Sequence, residues 1–151
     1  MRTLLTVPDP RLRKMCKEIT TIDGYIKELV QEMQKFIRER GVGLAAPQFG
    51  ELINVFVLNY HGIELALINA RVTRAVGEHV VFEQCLSIPG RNFFVKRPKI
   101  VKVKGLDING QERSIKGRDF LAQVLIHEVE HCRGILLEDV GRLIANNKLG
   151  G

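Results

Sequence analysis

His127-Glu128-Val129-Glu130-His131 is the stretch around which the rest of the chain is read. Two histidines four residues apart lie on one face of a helix, one turn from each other, so both imidazoles can reach one metal ion. Glu128 directly follows the first histidine and is turned roughly 100° around the helix axis. It sits close enough to handle the protons of a metal-bound water without being a ligand. This is the H-E-x-x-H arrangement of metal-dependent hydrolases. The bland alternative is an accidental pair of core or surface histidines. The chain has only four histidines, so two at this spacing with the glutamate in place weigh towards metal binding. Phe120, Leu121, Val124 and Leu125 give the motif an apolar flank, and Gly134 is a stop just beyond it, which predicts a partly buried helix over about 118–132.

Working outward, Ile26, Leu29, Val30, Met33 and Ile37 recur at helical spacing over residues 24–40, with Asp23 as N-cap and Gly41 as stop. Residues 41–50 then read as a loop of small residues that permits close backbone approach. Strands are expected at 52–59, 64–69, 79–84, 93–96, 99–107 and 111–116, the last two joined by the hairpin signal Asn109-Gly110. Lys102 and Lys104 alternate with Val101 and Val103, the pattern of a strand with one wet face. A short last helix is expected at 137–146. Strands grouped between helices indicate an α+β fold, antiparallel strands packed around the central helix that carries the metal motif.

The 151 residues, 45% of them hydrophobic, suggest one domain spanning 1–151 with a proper core. No apolar run approaches the roughly 20 residues of a membrane span. The start, Met1 to Val7, carries too short an apolar stretch for a signal peptide before Pro8. Cytoplasmic residence is expected, or an organelle if a targeting segment has been removed. Three cysteines, Cys16, Cys85 and Cys132, argue against a disulfide framework. The net charge of +6 would attract phosphate-rich partners such as RNA or ribosomes, although ordinary surface lysine is the simpler reading.

Two histidines do not hold a catalytic metal, so a third protein ligand is needed. The pattern that ends in a third histidine fails at Leu137, and Glu138 lies too close to His131 for a downstream ligand. Cys132 projects away from the ligand face and reads as core. Nothing near Cys16 suggests a site, and His61 and His79 read as surface residues. Cys85 differs: it ends a probable strand where the chain turns, and a thiolate there could complete a Cys-His-His set.

Three short motifs now resemble those of the peptide deformylases: Gly41-Val42-Gly43-Leu44-Ala45-Ala46-Pro47-Gln48, then Glu83-Gln84-Cys85-Leu86-Ser87, then His127 to His131. The opening Pro8-Asp9-Pro10-Arg11-Leu12-Arg13 is similar to that family's usual start. The resemblance implies a hydrolase that removes the N-terminal formyl group from formyl-methionyl nascent peptides. It implies one divalent metal ion on Cys85, His127 and His131, ferrous iron as the native ion with zinc, nickel or cobalt able to replace it. Glu128 would be the base for the metal-bound water, and the Gln48 side chain with the Leu86 N–H would stabilise the oxyanion. It also implies a Glu83–Arg97 ion pair buttressing the cysteine strand, against the alternative of two solvated charges. Two departures stand out: Gln84 replaces a glycine, where it could narrow the cleft, and Glu130 replaces an aspartate.

Gly43 and the main chain around it are placed to pair with a substrate backbone as an added strand. Phe120, Val124 and, with less weight, Gln123 could line an apolar pocket for methionine, with Phe93 or Phe94 as a wall. The partners expected are formyl-methionyl peptides and a transient ribosome contact, with no membrane and no specific nucleic acid. Two rivals remain open: an inactive relative that binds ribosome or RNA, motivated by the charge, Gln84 and Glu130, and a general metallopeptidase.

Overall fold

Asp23 accepts a hydrogen bond from the Ile26 N–H at 3.1 Å, satisfying a donor that every helix start leaves open. The helix it caps, α1 (Gly24–Ile37), buries Ile26, Leu29, Val30, Met33 and Ile37 along one face. It ends earlier than Gly41 where the last turn tightens, the Arg40 N–H bonding the Ile37 carbonyl three residues back at 3.1 Å. The structure, a computed structural model, describes residues 2–144.

The segment expected as a loop contains a short strand, β1 (Gly43–Ala45), and a single 3-10 turn at Ala46–Phe49. Then come β2 (Val55–Tyr60), β3 (Ile63–Val76), β4 (His79–Glu83), β5 (Phe93–Arg97), β6 (Ile100–Leu106) and β7 (Glu112–Arg118). The metal-motif helix is α2 (Phe120–Cys132), followed by α3 (Leu137–Val140) and β8 (Gly141–Leu143). The short last helix expected at 137–146 is therefore corrected to one turn and a strand, and residues 145 and 146 of that expectation lie outside the described residues. The physical reason is burial: Leu136 and Leu137 anchor the turn in the core, and Gly141 lets the chain pass onto β5. A side chain at Gly141 would meet the Leu137 carbonyl at 3.0 Å.

The pairings between the named strands are all antiparallel. One sheet has the order β1-β2-β3-β6-β7 and a smaller one the order β4-β5-β8. Alternation along β2 divides the core. Phe56 and Leu58 pack with Val124, Leu125 and Val129 of α2, while Val55 and Val57 pack with α1. The α+β class and the central position of the motif helix are as expected. Val101 and Val103 are buried and Lys102 and Lys104 alternate with them on the opposite face. Between Val72 and Arg74 the register of β3 against β6 shifts, a bulge at Thr73.

Candidate active site

α2 presents His127 and His131 one turn apart, with ring centroids 4.9 Å from each other. Cys85 follows β4 in a turn closed by the Ile88 N–H on the Cys85 carbonyl at 3.0 Å. That turn brings the Cys85 Sγ to 3.2 Å from the His131 Nε2. The ligand atoms of Cys85, His127 and His131 all lie within 4.8 Å of one another. The fold thus joins Cys85 to two histidines more than forty positions further along the chain.

The support behind these groups is a buried charge chain. The Glu83 carboxylate lies 2.9 Å from the His127 Nδ1, so Nδ1 carries the proton and Nε2 is left for coordination. Arg97 donates to the same carboxylate through Nε at 2.6 Å and a second nitrogen at 3.0 Å. Its remaining nitrogen reaches Glu130 at 2.8 Å. The side chains of Arg97 and Glu83 are 2% and 3% exposed, so the solvated-charge reading of this pair does not hold. Burial would raise the Glu83 carboxyl, but Arg97 and His127 outweigh it and hold it below its ordinary value. Glu130 behaves oppositely: burial raises it, and Arg97 only partly opposes. The extra methylene of Glu130 therefore joins a network rather than disturbing one.

Glu128 is 4% exposed, its Oε1 has no hydrogen-bond partner, and burial pushes its carboxyl up to about 7. Burial would lower His127, yet Cys85 and Glu83 hold it well above its ordinary value, whereas burial takes His131 well below. A thiolate and two imidazoles suit zinc or ferrous iron. The unpartnered carboxylate beside them completes an environment that fits a hydrated divalent cation.

Gln48 is buried and fixed by two bonds. Its Oε1 accepts from the Ala45 N–H at 3.0 Å and its Nε2 donates to the Ser87 Oγ at 3.0 Å, leaving one N–H of the amide. Among the described residues the Leu86 N–H has no carbonyl partner. The N-terminal segment laces these two regions together, the Leu5 N–H on the Gln48 carbonyl at 2.7 Å and the Val7 N–H on the Ser87 carbonyl at 2.9 Å.

An open cleft of about 610 Å³ runs past this group, lined among others by Gly43, Gln48, Leu86, Phe120, Val124 and Glu128. Gln123, given little weight from sequence, also lines it, held by its Nε2 on the Phe82 carbonyl at 2.9 Å. The proposed aromatic wall is corrected. Phe93 packs into the core with Leu12 and Ile88, and Phe94 points outward, outside the cleft lining. Phe82 of β4 takes that place. Alternation turns Phe93 to the core, while Phe94 lies directly opposite Phe82 on the same face, and it is β4 rather than β5 that borders the cleft. Gln84 donates to the Asn92 side chain at 2.8 Å, and both residues line the cleft.

One feature of the site was missed. Gly43 is needed for Glu128 as much as for any ligand: a Cβ there would lie 2.6 Å from the Glu128 Oε2. The small-residue run was the available signal, but only the fold says which neighbour comes close.

Residues 1–146 match the family model described as polypeptide deformylase. The chain is 42% identical over 149 residues to the peptide deformylase of Thermomicrobium roseum, covering 92% of this chain and 85% of that protein. It superposes on the crystal structure of a peptide deformylase from Legionella pneumophila with a TM-score of 0.89 and 37% identity, over 93% of this chain and 85% of that one. The enzyme from Synechococcus elongatus, solved in complex with actinonin, gives 0.90 and 33% identity over 98% of this chain and 80% of that one.

Proposed function

The chain belongs to the polypeptide deformylase family, and from that premise we propose that it hydrolyses the formamide of formyl-methionyl peptides with Glu128 moving the proton. One observation carries the reading: three ligand atoms converge beside a buried carboxylate oxygen that has no partner. Cys85, His127 and His131 would hold one divalent cation, whose Lewis acidity makes water nucleophilic near neutral pH. We infer ferrous iron as the native ion from the likeness to the family; the donor set itself suits iron or zinc, and nickel or cobalt fit the same donors.

Glu128 takes the proton of the attacking water and passes it to the nitrogen of the departing amine, so formate and a free methionyl peptide leave. The spare N–H of Gln48 and the Leu86 N–H are the donors offered to the oxygen that gains charge. Among the described residues β1 pairs only with β2, so its other edge is offered to the peptide backbone beside Gly43 as an added strand. Phe120, Val124 and the stem of Gln123 give the methionine side chain its apolar contacts.

Neither departure argues for a module without chemistry. Gln84 turns to Asn92, Glu130 turns to Arg97, and the ligand set and base are complete. Among the described residues no helix is long and apolar enough to cross a membrane. We place the enzyme in the cytoplasm, meeting nascent chains in transient contact with the ribosome. The test is formate release from a formyl-methionyl peptide by anaerobically prepared, iron-loaded protein. Replacing the base should lower kcat by about 10²–10⁴-fold; no release above the Glu128→Gln variant would remove the reading.

A further inference from the structure

The larger sheet carries a row of cations that its own packing does not explain. From Arg71 onward, β3, β6 and β7 contain, besides Arg113, the cations Arg71, Arg74, Lys102, Lys104, Lys116 and Arg118, while Glu112 is their only acid. Register puts these cations on one face. Arg71 lies opposite Lys104, Arg74 opposite Lys102, and Lys102 opposite Lys116. Arg71 and Arg74 are three residues apart and would point to opposite faces of a regular strand. The bulge at Thr73 turns Arg74 back to the side of Arg71.

Arg74, Lys102 and Lys116 thus form a line across three strands, roughly 10 Å long, and the Arg71–Lys104 pair runs parallel to it roughly 7 Å away. Like charges directly opposite each other weaken a sheet, so the fold gains nothing from this pattern. Among the described residues none of the six forms an ion pair, whereas Arg113 of the same β7 is paired with Asp107 at 2.7 Å. The face lies on the α1 side of the sheet, but α1 packs on β1 and β2 and leaves this end open. It has no aromatic side chain on which unstacked bases could rest. Its apolar side chains at this end are Val76 and Ile100, without the aromatic anchors of membrane-surface elements.

We propose that this face docks the protein on double-helical RNA through its phosphates, without reading sequence. The inference rests on the deformylase reading in one respect: a substrate that is a nascent chain is presented on an RNA-rich particle. Two cation rows at these spacings can meet consecutive phosphates of a duplex, and each contact releases counterions. The active cleft opens beside α2, on the other side of the sheet, so docking and catalysis use separate surfaces.

The experiment titrates a short labelled RNA duplex with the whole protein over a salt series, in parallel with formate release from a free formyl-methionyl peptide. One variant carries Arg74→Gln, Lys102→Gln, Lys104→Gln and Lys116→Gln. A charge-matched control carries Lys14→Gln, Lys17→Gln, Lys27→Gln and Lys35→Gln. The first should bind RNA at least about ten-fold more weakly, and its log–log salt slope should flatten by about three. The control should bind close to the parent, and both should release formate. Equal weakening in the two variants would mean net charge alone and would overturn the proposal. So would no RNA binding by the parent at low salt, or tighter binding to anionic lipid vesicles than to RNA. Loss of formate release by the parent would instead strike the deformylase reading.

Discussion

Replacing Arg97 with methionine is the sharpest test of how the site is held. The substitution keeps much of the apolar stem but removes two bonds to Glu83, at 2.6 and 3.0 Å, and one to Glu130 at 2.8 Å. Glu83 would stay buried with His127 as its one remaining partner. Removing one member of a buried pair costs about 3–5 kcal/mol, against a total stability of about 5–15 kcal/mol. At about 2–4 °C per kcal/mol for a chain of this size, melting should fall by roughly 6–20 °C. The loss should depend on pH. In the parent, burial pushes Glu83 up but Arg97 and His127 hold it low. Its contribution is therefore full above its ordinary value of 4.5 and fades as the pH falls through the lower folded value. Without Arg97 the same carboxyl rises, so the variant weakens as the pH climbs past 4.5 and the gap to the parent widens. Thermal melts of metal-free samples across that range read both effects. Adding Glu83→Gln should return most of the loss, because an amide can still accept from the His127 Nδ1 and no charge is stranded. A single variant that melts within about 2 °C of the parent, below the smallest loss expected, would refute the reasoning, as would a double variant no better than the single one.

Gly43→Ala should melt like the parent yet lose about ten-fold or more in kcat, since its Cβ would meet the Glu128 Oε2 at 2.6 Å; steady-state kinetics with unchanged turnover would contradict the contact. Leu125→Ala, at a fully buried position of α2, should cost about 2–5 kcal/mol in a urea titration. Gly134→Ala meets both a φ of +75° and the Arg13 carbonyl at 2.5 Å, so it should lose about 1–3 kcal/mol in the same assay. Cys85→Ala should leave the fold intact but bring bound iron or zinc, measured by elemental analysis, close to zero.

Much of the site was legible because its signals are local. The two-histidine spacing, the Asp23 cap and the valine–lysine alternation each follow from a period that one element imposes. What escaped depended on relations between elements. Phe93 and Phe94 are neighbours of the same type, and only the pairing of β5 with β4 decides which one faces the core. The Thr73 bulge leaves no mark in residue type, yet it decides where Arg74 points. Gly41 read as the end of α1, but the tightened last turn at the Ile37 carbonyl ended it sooner. The short β8 has too few residues to show a period and exists because β5 offers it an edge.

The lacing of Leu5 to Gln48 and Val7 to Ser87 also bears on when the enzyme becomes competent. Neither contact is local, and His127 and His131 come later still in the chain, so no early fragment can assemble the constellation by itself. A newly made copy should remain inert until α2, which carries both histidines, has docked. Clipping off the first seven residues afterwards should slacken the amide of residue 48 and the cysteine turn together, a loss of alignment at a distance that leaves every metal-binding atom in the molecule.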